Sequence, residues 1–171
     1  MWAPWRKTYL RSSSVKRSGC LFCSLLRDKK DKRNLVLFRT AHHAAILNRY
    51  PYNNGHLMIA PKRHIACLSQ MNAREKSEFF DVLEKAMDAL DKAMKPHGFN
   101  LGVNISDVAG AGVPDHIHWH IVPRWKGDVN FMPVVAGTKV ISESLESAYE
   151  VLSQALAPTT RKGRRLSRME K

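Results

Sequence analysis

Three histidines that alternate with large apolar residues constrain this chain more than any other feature. They lie in the stretch His116-Ile-His-Trp-His-Ile-Val122. Because successive side chains of a β-strand point to opposite sides of the sheet, the three imidazoles would share one face and the apolar residues the other. A single histidine is usually a satisfied core or surface residue. Three of the chain's eight histidines in strict alternation instead favour a strand with one face on the core and the other lining a site.

A row of imidazoles is suited to two kinds of chemistry. Neutral imidazoles can bind a metal ion, and a single imidazole near pH 7 can act as a nucleophile that takes up a phosphoryl group. The flanking residues favour the nucleophile. Gly110 and Gly112 would let backbone N–H groups approach an anion closely, and Arg124 is a permanently charged phosphate donor.

The net charge of +13 over 171 residues belongs to the two ends of the chain. Ten Lys and Arg stand against two Asp in residues 1–33, and six basic residues stand against one acid in residues 161–171. Residues 34–160 carry equal numbers of both signs. Basic ends can bind polyanions without sequence specificity, but a balanced body argues against nucleic acid as the main partner.

The cysteines and the apolar segments indicate the cellular compartment of the protein. No run approaches the roughly 18 apolar residues of a membrane span, and the first residues lack the apolar core of a secretory signal. Cys20 and Cys23 form a Cys-x-x-Cys pair, which indicates metal or redox chemistry in a reducing compartment. We therefore expect a cytoplasmic protein with no membrane partner.

The apolar pattern predicts an α+β fold with a mainly antiparallel sheet, because locally paired strands precede a helix and further strands follow it. Asn72 and Glu75 predict a capping box at the start of the long helix, and Pro96 and Gly98 end it. Its expected core stripe is Phe79, Phe80, Leu83, Met87, Leu90 and Met94. The expected strands are residues 35–38, 44–47, 56–60, 99–105 and the histidine run ending at Pro123, with a last helix over 142–156.

The histidine run matches the pattern of the histidine triad, in which three histidines alternate with apolar residues. Similar stretches extend over residues 47–64, 96–104 and 123–133. The chain resembles the histidine triad (HIT) superfamily over roughly residues 19–155, and within it the branch of bacterial diadenosine tetraphosphate phosphorylases.

This resemblance implies a HIT-like fold, with a five-stranded antiparallel sheet, a packed long helix and a C-terminal helix. It also implies a homodimer joined through the sheets. The expected organisation is a basic N-terminal arm over residues 1–18, a HIT domain over 19–158 and a basic, disordered tail over 159–171.

The resemblance also assigns roles to individual residues. His118 would be the nucleophile on the α-phosphorus, His120 would contact phosphate oxygens, and His116 would orient the site. Nucleotide contacts would come from Asn48 at the ribose, from Asn104 and the backbone of Ala111, Gly112 and Val113 at the phosphates, and from Arg124 and Trp125. Trp125 would either flank a base or be a buried structural residue.

Relatives that carry the Cys-x-x-Cys pair, including galactose-1-phosphate uridylyltransferases, use it with two histidines to bind structural zinc. Carried onto this chain, the ligands would be Cys20, Cys23, His64 and His116. Two cysteines and two histidines are a sound tetrahedral set for zinc. The alternative is a pair of reduced, partly buried thiols.

The expected activity is phosphorolysis of diadenosine tetraphosphate to ATP and ADP through a nucleotidyl-histidine, with inorganic phosphate as the second substrate. The loop before the triad has no Gln of the kind that hydrolase relatives carry, and Arg124, Lys126 and the Ala111-Gly112 loop could hold the acceptor. One alternative is a HIT-type hydrolase of dinucleoside polyphosphates or nucleoside phosphoramidates. A second is a nucleotide-binding module recruited to RNA by its basic ends.

Overall fold

The computed structural model describes residues 19–128 and 143–157. The expected arm over 1–18, the expected tail over 159–171 and the first residue of the expected last helix lie outside these described residues. No helix in the described ranges is both long and apolar enough to cross a bilayer.

One antiparallel sheet of five strands organises the fold, in the spatial order β1-β2-β3-β5-β4. The strands are β1 Val36–Arg39, β2 His43–Leu47, β3 Leu57–Pro61, β4 Gly98–Val103 and β5 Trp119–Arg124. The α+β class and the five-stranded sheet predicted above are therefore confirmed. Strand β5, which contains His120, lies between β3 and β4, so the triad segment leads into the interior of the sheet and away from its edges.

Four helices flank the sheet: α1 Leu21–Arg27, α2 Asp31–Asn34, α3 Ala73–Met94 and α4 Leu145–Leu156. The predicted capping box begins α3, because Asn72 Oδ1 accepts the Glu75 N–H at 2.9 Å and Glu75 Oε2 accepts the Asn72 N–H at 2.8 Å. Helix α4 begins after Ser144, whose hydroxyl accepts the Ser147 N–H at 3.1 Å. The short helices α1 and α2 were not predicted, because neither is long enough to show a helical apolar period.

One face of the sheet packs against α3 and α4. The buried core on this side comprises Leu35, Leu47, Leu57, Ile59, Val82, Ala86, Leu90, Ile121, Ala148 and Leu152. The predicted stripe of α3 is right for Phe79, Leu83, Met87, Leu90 and Met94, which pack in or against this core. It is wrong for Phe80, which is 70% exposed. Phe80 fits the 3–4 residue spacing but lies at the margin of the stripe, about 80° around the helix from Leu90.

The opposite face is covered by α1. Phe22, Val36, Ala44, Ile46 and Ala60 form a second buried cluster there. Arg39 of β1 contacts both short helices, because its guanidinium donates to Leu26 O of α1 at 2.7 Å and to Asp31 Oδ1 of α2 at 2.7 Å.

The strand that carries the histidines is shorter than the sequence predicts. It begins at Trp119, so His120 lies within β5 while His116 and His118 lie just before it. The alternation continues nevertheless, since Ile117 is buried with Ile65 and Met71 while the imidazoles face Phe22. The backbone of Ile117 donates to Ile65 O at 2.7 Å, which keeps this stretch extended beyond the end of the ladder.

Gly55 is the position where the turn before β3 requires glycine. Its φ is +68°, and a Cβ built there would lie 2.7 Å from Met94 Sδ and 2.9 Å from Leu90 Cδ2. We expect Gly55→Ala to lower the free energy of unfolding by about 2 kcal/mol, because the new Cβ would strain the left-handed backbone and crowd the side chains of α3.

Urea denaturation measures this loss, and Gly98→Ala is the matched control, because nothing lies within 4 Å of a Cβ at that position. Equal midpoints for the two variants would contradict the prediction.

Candidate active site

The structure brings the three triad imidazoles together on the face that α1 covers. The ring centroids of His118 and His120 are 5.0 Å apart, and the Phe22 ring lies 4.7 Å from His118 and 5.2 Å from His116. His116 is fully buried and His118 is 4% exposed. The aromatic ring of Phe22 therefore fixes two of the three imidazoles against the sheet.

The tautomer of His118 follows from its hydrogen bond. Its Nδ1 lies 2.8 Å from the carbonyl oxygen of His116, and since a carbonyl only accepts, Nδ1 carries the proton and donates. Burial lowers the pKa of His118, so the ring is neutral near pH 7. No group in the described ranges hydrogen-bonds Nε2, which leaves its lone pair available as a nucleophile.

His120 is oriented by a fourth histidine, His56, which is fully buried. The backbone N–H of Tyr52 donates to His56 Nδ1 at 3.0 Å, so the proton of His56 is on Nε2. That nitrogen lies 2.9 Å from His120 Nδ1, which must accept. The proton of His120 is therefore on Nε2, where it can be donated to a bound anion.

Both of these imidazoles are neutral donors. Burial, with the neighbouring His120 and His118 as smaller causes, lowers the pKa of His56 to about 3. Burial, with His118 as the smaller cause, lowers the pKa of His120 to about 4. Near pH 7 the pair thus presents one N–H to the site without a positive charge.

Sequence reasoning assigned His56 only to a strand and missed its place in the site. One signal was available: a histidine at the start of an apolar run, directly after a glycine turn. Its partner is 64 residues away, and no local pattern links the two.

Asn48 lies beside His56, and Asn104 directly follows β4. The Asn48 amide nitrogen lies 3.2 Å from His56 Nδ1, and its Oδ1 accepts the Tyr50 N–H at 3.0 Å. The ladder of β4 and β5 ends where Val103 pairs with Trp119, so Asn104 and His118 are the next residues beyond that end.

The loop between β4 and the triad lies next to these residues. The Ala111 N–H donates to Ser106 O at 3.3 Å. It is therefore already paired, whereas the sequence predicted a donor available to phosphate. Val113 is half-buried and packs against the cluster around Phe22. Gly112, between them, is exposed.

Arg124 and Trp125 are not brought together with the triad. The Arg124 guanidinium donates to both Asp128 carboxylate oxygens, at 2.7 and 2.9 Å, and to Asn100 Oδ1 at 2.8 Å. Arg124 lies four residues beyond His120, which is about 13 Å along the strand. Trp125 donates its indole N–H to Met94 O at 3.3 Å, an anchor to the end of α3.

The four cysteines and histidines expected to bind zinc form one cluster, with ligand atoms all within 4.8 Å of one another. Cys20 Sγ and Cys23 Sγ lie 3.3 and 3.6 Å from His116 Nδ1, and Cys23 Sγ lies 3.4 Å from His64 Nδ1. Sulfur and nitrogen ligands around a tetrahedral zinc are about 3.6 Å apart, given the usual bond lengths. The donor set and its spacing fit such an ion.

The tautomer of His116 suits this cluster as well. Its Nε2 lies 2.9 Å from Pro61 O, so Nε2 donates and the Nδ1 lone pair faces the two sulfurs. Burial, followed by the neighbouring Cys20, raises the pKa of the Cys23 thiol, as expected for sulfurs that need a cation before they ionise. These residues can therefore hold a metal ion.

Comparison with known proteins agrees with this geometry. Residues 29–127 match the HIT domain family. The chain is 36% identical, over 90% of its length and 82% of the relative, to a protein of Mycobacterium tuberculosis named AP-4-A phosphorylase. It is 32% identical, over 54% of its length and 50% of the relative, to a bis(5'-nucleosyl)-tetraphosphatase of Schizosaccharomyces pombe.

The fold is also found in solved structures. A Zn-bound histidine triad family protein from Mycobacterium smegmatis superposes with a TM-score of 0.65 at 24% identity, over 85% of this chain and 95% of that one. Fold, triad and sequence similarity agree: this chain belongs to the histidine triad family, as an enzyme that processes nucleotides by transfer or hydrolysis.

Proposed function

We propose that this enzyme cleaves diadenosine tetraphosphate by nucleotidyl transfer to His118 and passes the nucleotide to inorganic phosphate, which yields ATP and ADP. The observation that carries the proposal is the hydrogen bond from His118 Nδ1 to His116 O, at 2.8 Å. It presents an unprotonated Nε2 beside the N–H of His120, which is the pair that nucleophilic attack on a phosphate requires.

In the first step, the Nε2 lone pair of His118 attacks the α-phosphorus. A P–N bond forms as the P–O bond to the polyphosphate breaks, and ATP leaves with the bonding electrons. The ring then carries a substituent on Nε2 and a proton on Nδ1, so it becomes cationic. The His116 carbonyl that already accepts from Nδ1 stabilises this charge as it develops.

His120 supports the same step as a hydrogen-bond donor. Its Nδ1 is occupied by His56 Nε2 at 2.9 Å, so its Nε2–H is the group directed to the phosphate oxygens. Asn48, beside His56, is proposed to bind the ribose. The phosphates are proposed to be bound by Asn104 and by the backbone of Gly112 and Val113.

In the second step, an oxygen of inorganic phosphate attacks the same phosphorus and the P–N bond breaks, which gives ADP and restores His118. Two observations support phosphate over water: the similarity to the AP-4-A phosphorylase of M. tuberculosis and the small residues Ala111 and Gly112 beside the triad. Arg124 supports it less than the sequence suggested, because its donors are bound to Asp128 and Asn100.

Hydrolysis is the second candidate. It is favoured by the similarity to the S. pombe tetraphosphatase over about half of the chain. The two reactions share the first step and differ only in the acceptor.

The acceptor is tested with diadenosine tetraphosphate and isotopically labelled phosphate. We expect the label in the β-position of ADP, and we expect the rate of ADP formation to rise with phosphate at constant ionic strength, because phosphate enters in the second step. Chromatography of the products measures both. AMP and ATP as products at every phosphate concentration would contradict phosphorolysis and favour the hydrolase.

The nucleophile is tested by His118→Gln, which preserves a polar side chain of similar size. We expect turnover to fall by about 10⁴-fold or more, as is usual when a nucleophile is removed, with an unchanged melting temperature. His42→Gln is the control, because His42 lies outside the site, directly before β2. Turnover of His118→Gln within tenfold of the wild type would contradict the mechanism.

We also propose that Cys20, Cys23, His64 and His116 hold one structural zinc ion. A four-ligand zinc ion leaves no open position and contributes folding energy. The ion would tie α1, the segment after β3 and the first triad histidine to one another, which supports the face that carries His118.

Elemental analysis of protein purified without added metal should find about one zinc ion per chain. We expect Cys20→Ser to lose the ion and to melt at a lower temperature, because metal binding is linked to folding. Cys67→Ser is the matched control, since Cys67 lies outside the cluster. Metal-free protein whose melting temperature does not respond to zinc would contradict the proposal.

We further propose a cytoplasmic homodimer, with the HIT domain over residues 19–158. β4 is an edge strand of the sheet and carries Leu101, which is 51% exposed. A second copy that pairs with this edge would extend the sheet and cover that side chain.

A further inference from the structure

His64 is the ligand of the proposed zinc cluster that most needs support from other residues. It lies three residues beyond the end of β3, outside any helix or strand, and its side chain is exposed. Cys20 and Cys23, in contrast, belong to α1 and its cap, and His116 is fully buried. A ligand on an exposed irregular segment loses conformational freedom when it binds a metal, unless the segment is already fixed.

The residue before it, Arg63, is fixed by three hydrogen bonds. Its Nε donates to Glu75 Oε1 at 2.7 Å, and its Nη2 donates to Glu75 Oε2 at 2.8 Å and to Gln70 O at 2.6 Å. This is the bidentate arrangement of a guanidinium on a carboxylate, which restrains orientation as well as distance.

The carboxylate that receives Arg63 is itself anchored. Glu75 is 2% exposed and closes the capping box at the N-terminus of α3 by accepting the Asn72 N–H. The hydrogen bond from Arg63 is the main cause that lowers the pKa of Glu75, to about 2. The anchor of Arg63 is therefore an ionised group on a helix of 22 residues that packs on the core.

The residue after His64 is fixed as well. Ile65 is 5% exposed, and its carbonyl accepts the Ile117 N–H at 2.7 Å. His64 is thus held on both sides, with its Nδ1 3.4 Å from Cys23 Sγ. Ile65 joins it to the triad segment, and Arg63 joins it to α3.

We infer that the Arg63–Glu75 ion pair is a positioning device for the metal cluster. It holds the backbone of residue 64 in the conformation that presents His64 Nδ1, and it thereby raises the affinity of the cluster for metal. This inference rests on the proposed zinc site. An ion pair that only stabilised the start of α3 would affect folding and leave metal affinity unchanged.

The test titrates the metal-free full-length chain with Co²⁺ and with Zn²⁺, in competition with a chromophoric chelator. We expect Arg63→Gln and Glu75→Gln each to weaken binding by about 10- to 100-fold, the usual effect of losing a group that orients a ligand. At saturating Co²⁺ the visible spectrum should match that of the wild type, because all four ligands remain. His64→Ala should change the spectrum, because it removes a ligand.

Two controls separate positioning from general destabilisation. Leu152→Ala removes a buried contact of α4, far in sequence from the cluster, and should lower the melting temperature with metal affinity unchanged. Lys32→Gln removes an exposed ion pair, to Glu150, and should change neither quantity.

Rescue and coupling complete the test. Arg63→Lys keeps the charge and should recover part of the affinity, and the double variant of Arg63→Gln with Glu75→Gln should bind no more weakly than the weaker single variant. Affinity of Arg63→Gln within twofold of the wild type, or fully additive effects, would overturn the inference alone. A wild-type chain that binds neither ion would overturn the zinc site and this inference with it.

Discussion

The conformation of His116 is the constraint on which the rest of the site depends. Three of its polar groups connect the site: Nε2–H donates to Pro61 O, Nδ1 faces the sulfurs of the cysteine pair, and the carbonyl oxygen accepts from His118 Nδ1. The first bond fixes the tautomer that lets Nδ1 face the sulfurs. The third bond fixes the tautomer that leaves the His118 Nε2 lone pair available. A change in the backbone of His116 would therefore alter the cluster and the proposed nucleophile together.

The hydrogen bonds that join Tyr52, His56 and His120 all take their direction from one backbone group. Because the Tyr52 N–H can only donate, His56 Nδ1 must accept, His56 Nε2 must donate to His120 Nδ1, and the proton of His120 must be on Nε2. Burial lowers the pKa of both imidazoles, to about 3 and about 4, so protonation does not reverse this order near pH 7. Local backbone geometry at the turn thus decides what the third triad histidine offers to substrate.

Features of the fold and of the site could be predicted from the sequence where the interacting residues lie close together along the chain. The capping box at Asn72 and the alternation of the triad are patterns within a few residues, and the structure has both. The roles of His56 and Arg124 depend on partners in other elements. His56 lies against β5 because β3 pairs with it, and Arg124 is held by the Asp128 carboxylate four residues later in the chain. Charge alone could not distinguish a phosphate donor from a structural ion pair.

Three of the arginines in the described ranges are held in structural contacts. Arg39 contacts both short helices, Arg63 is bound to Glu75, and Arg124 is bound to Asp128. The donor that the structure places beside His118 is neutral, because the proton on His120 Nε2 belongs to an uncharged imidazole. Such donors cost little to keep buried and act mainly where negative charge grows on the phosphoryl oxygens. In the proposed mechanism, an arrangement of this kind would favour the transition state over the bound polyphosphate, which is the condition for binding energy to appear as rate.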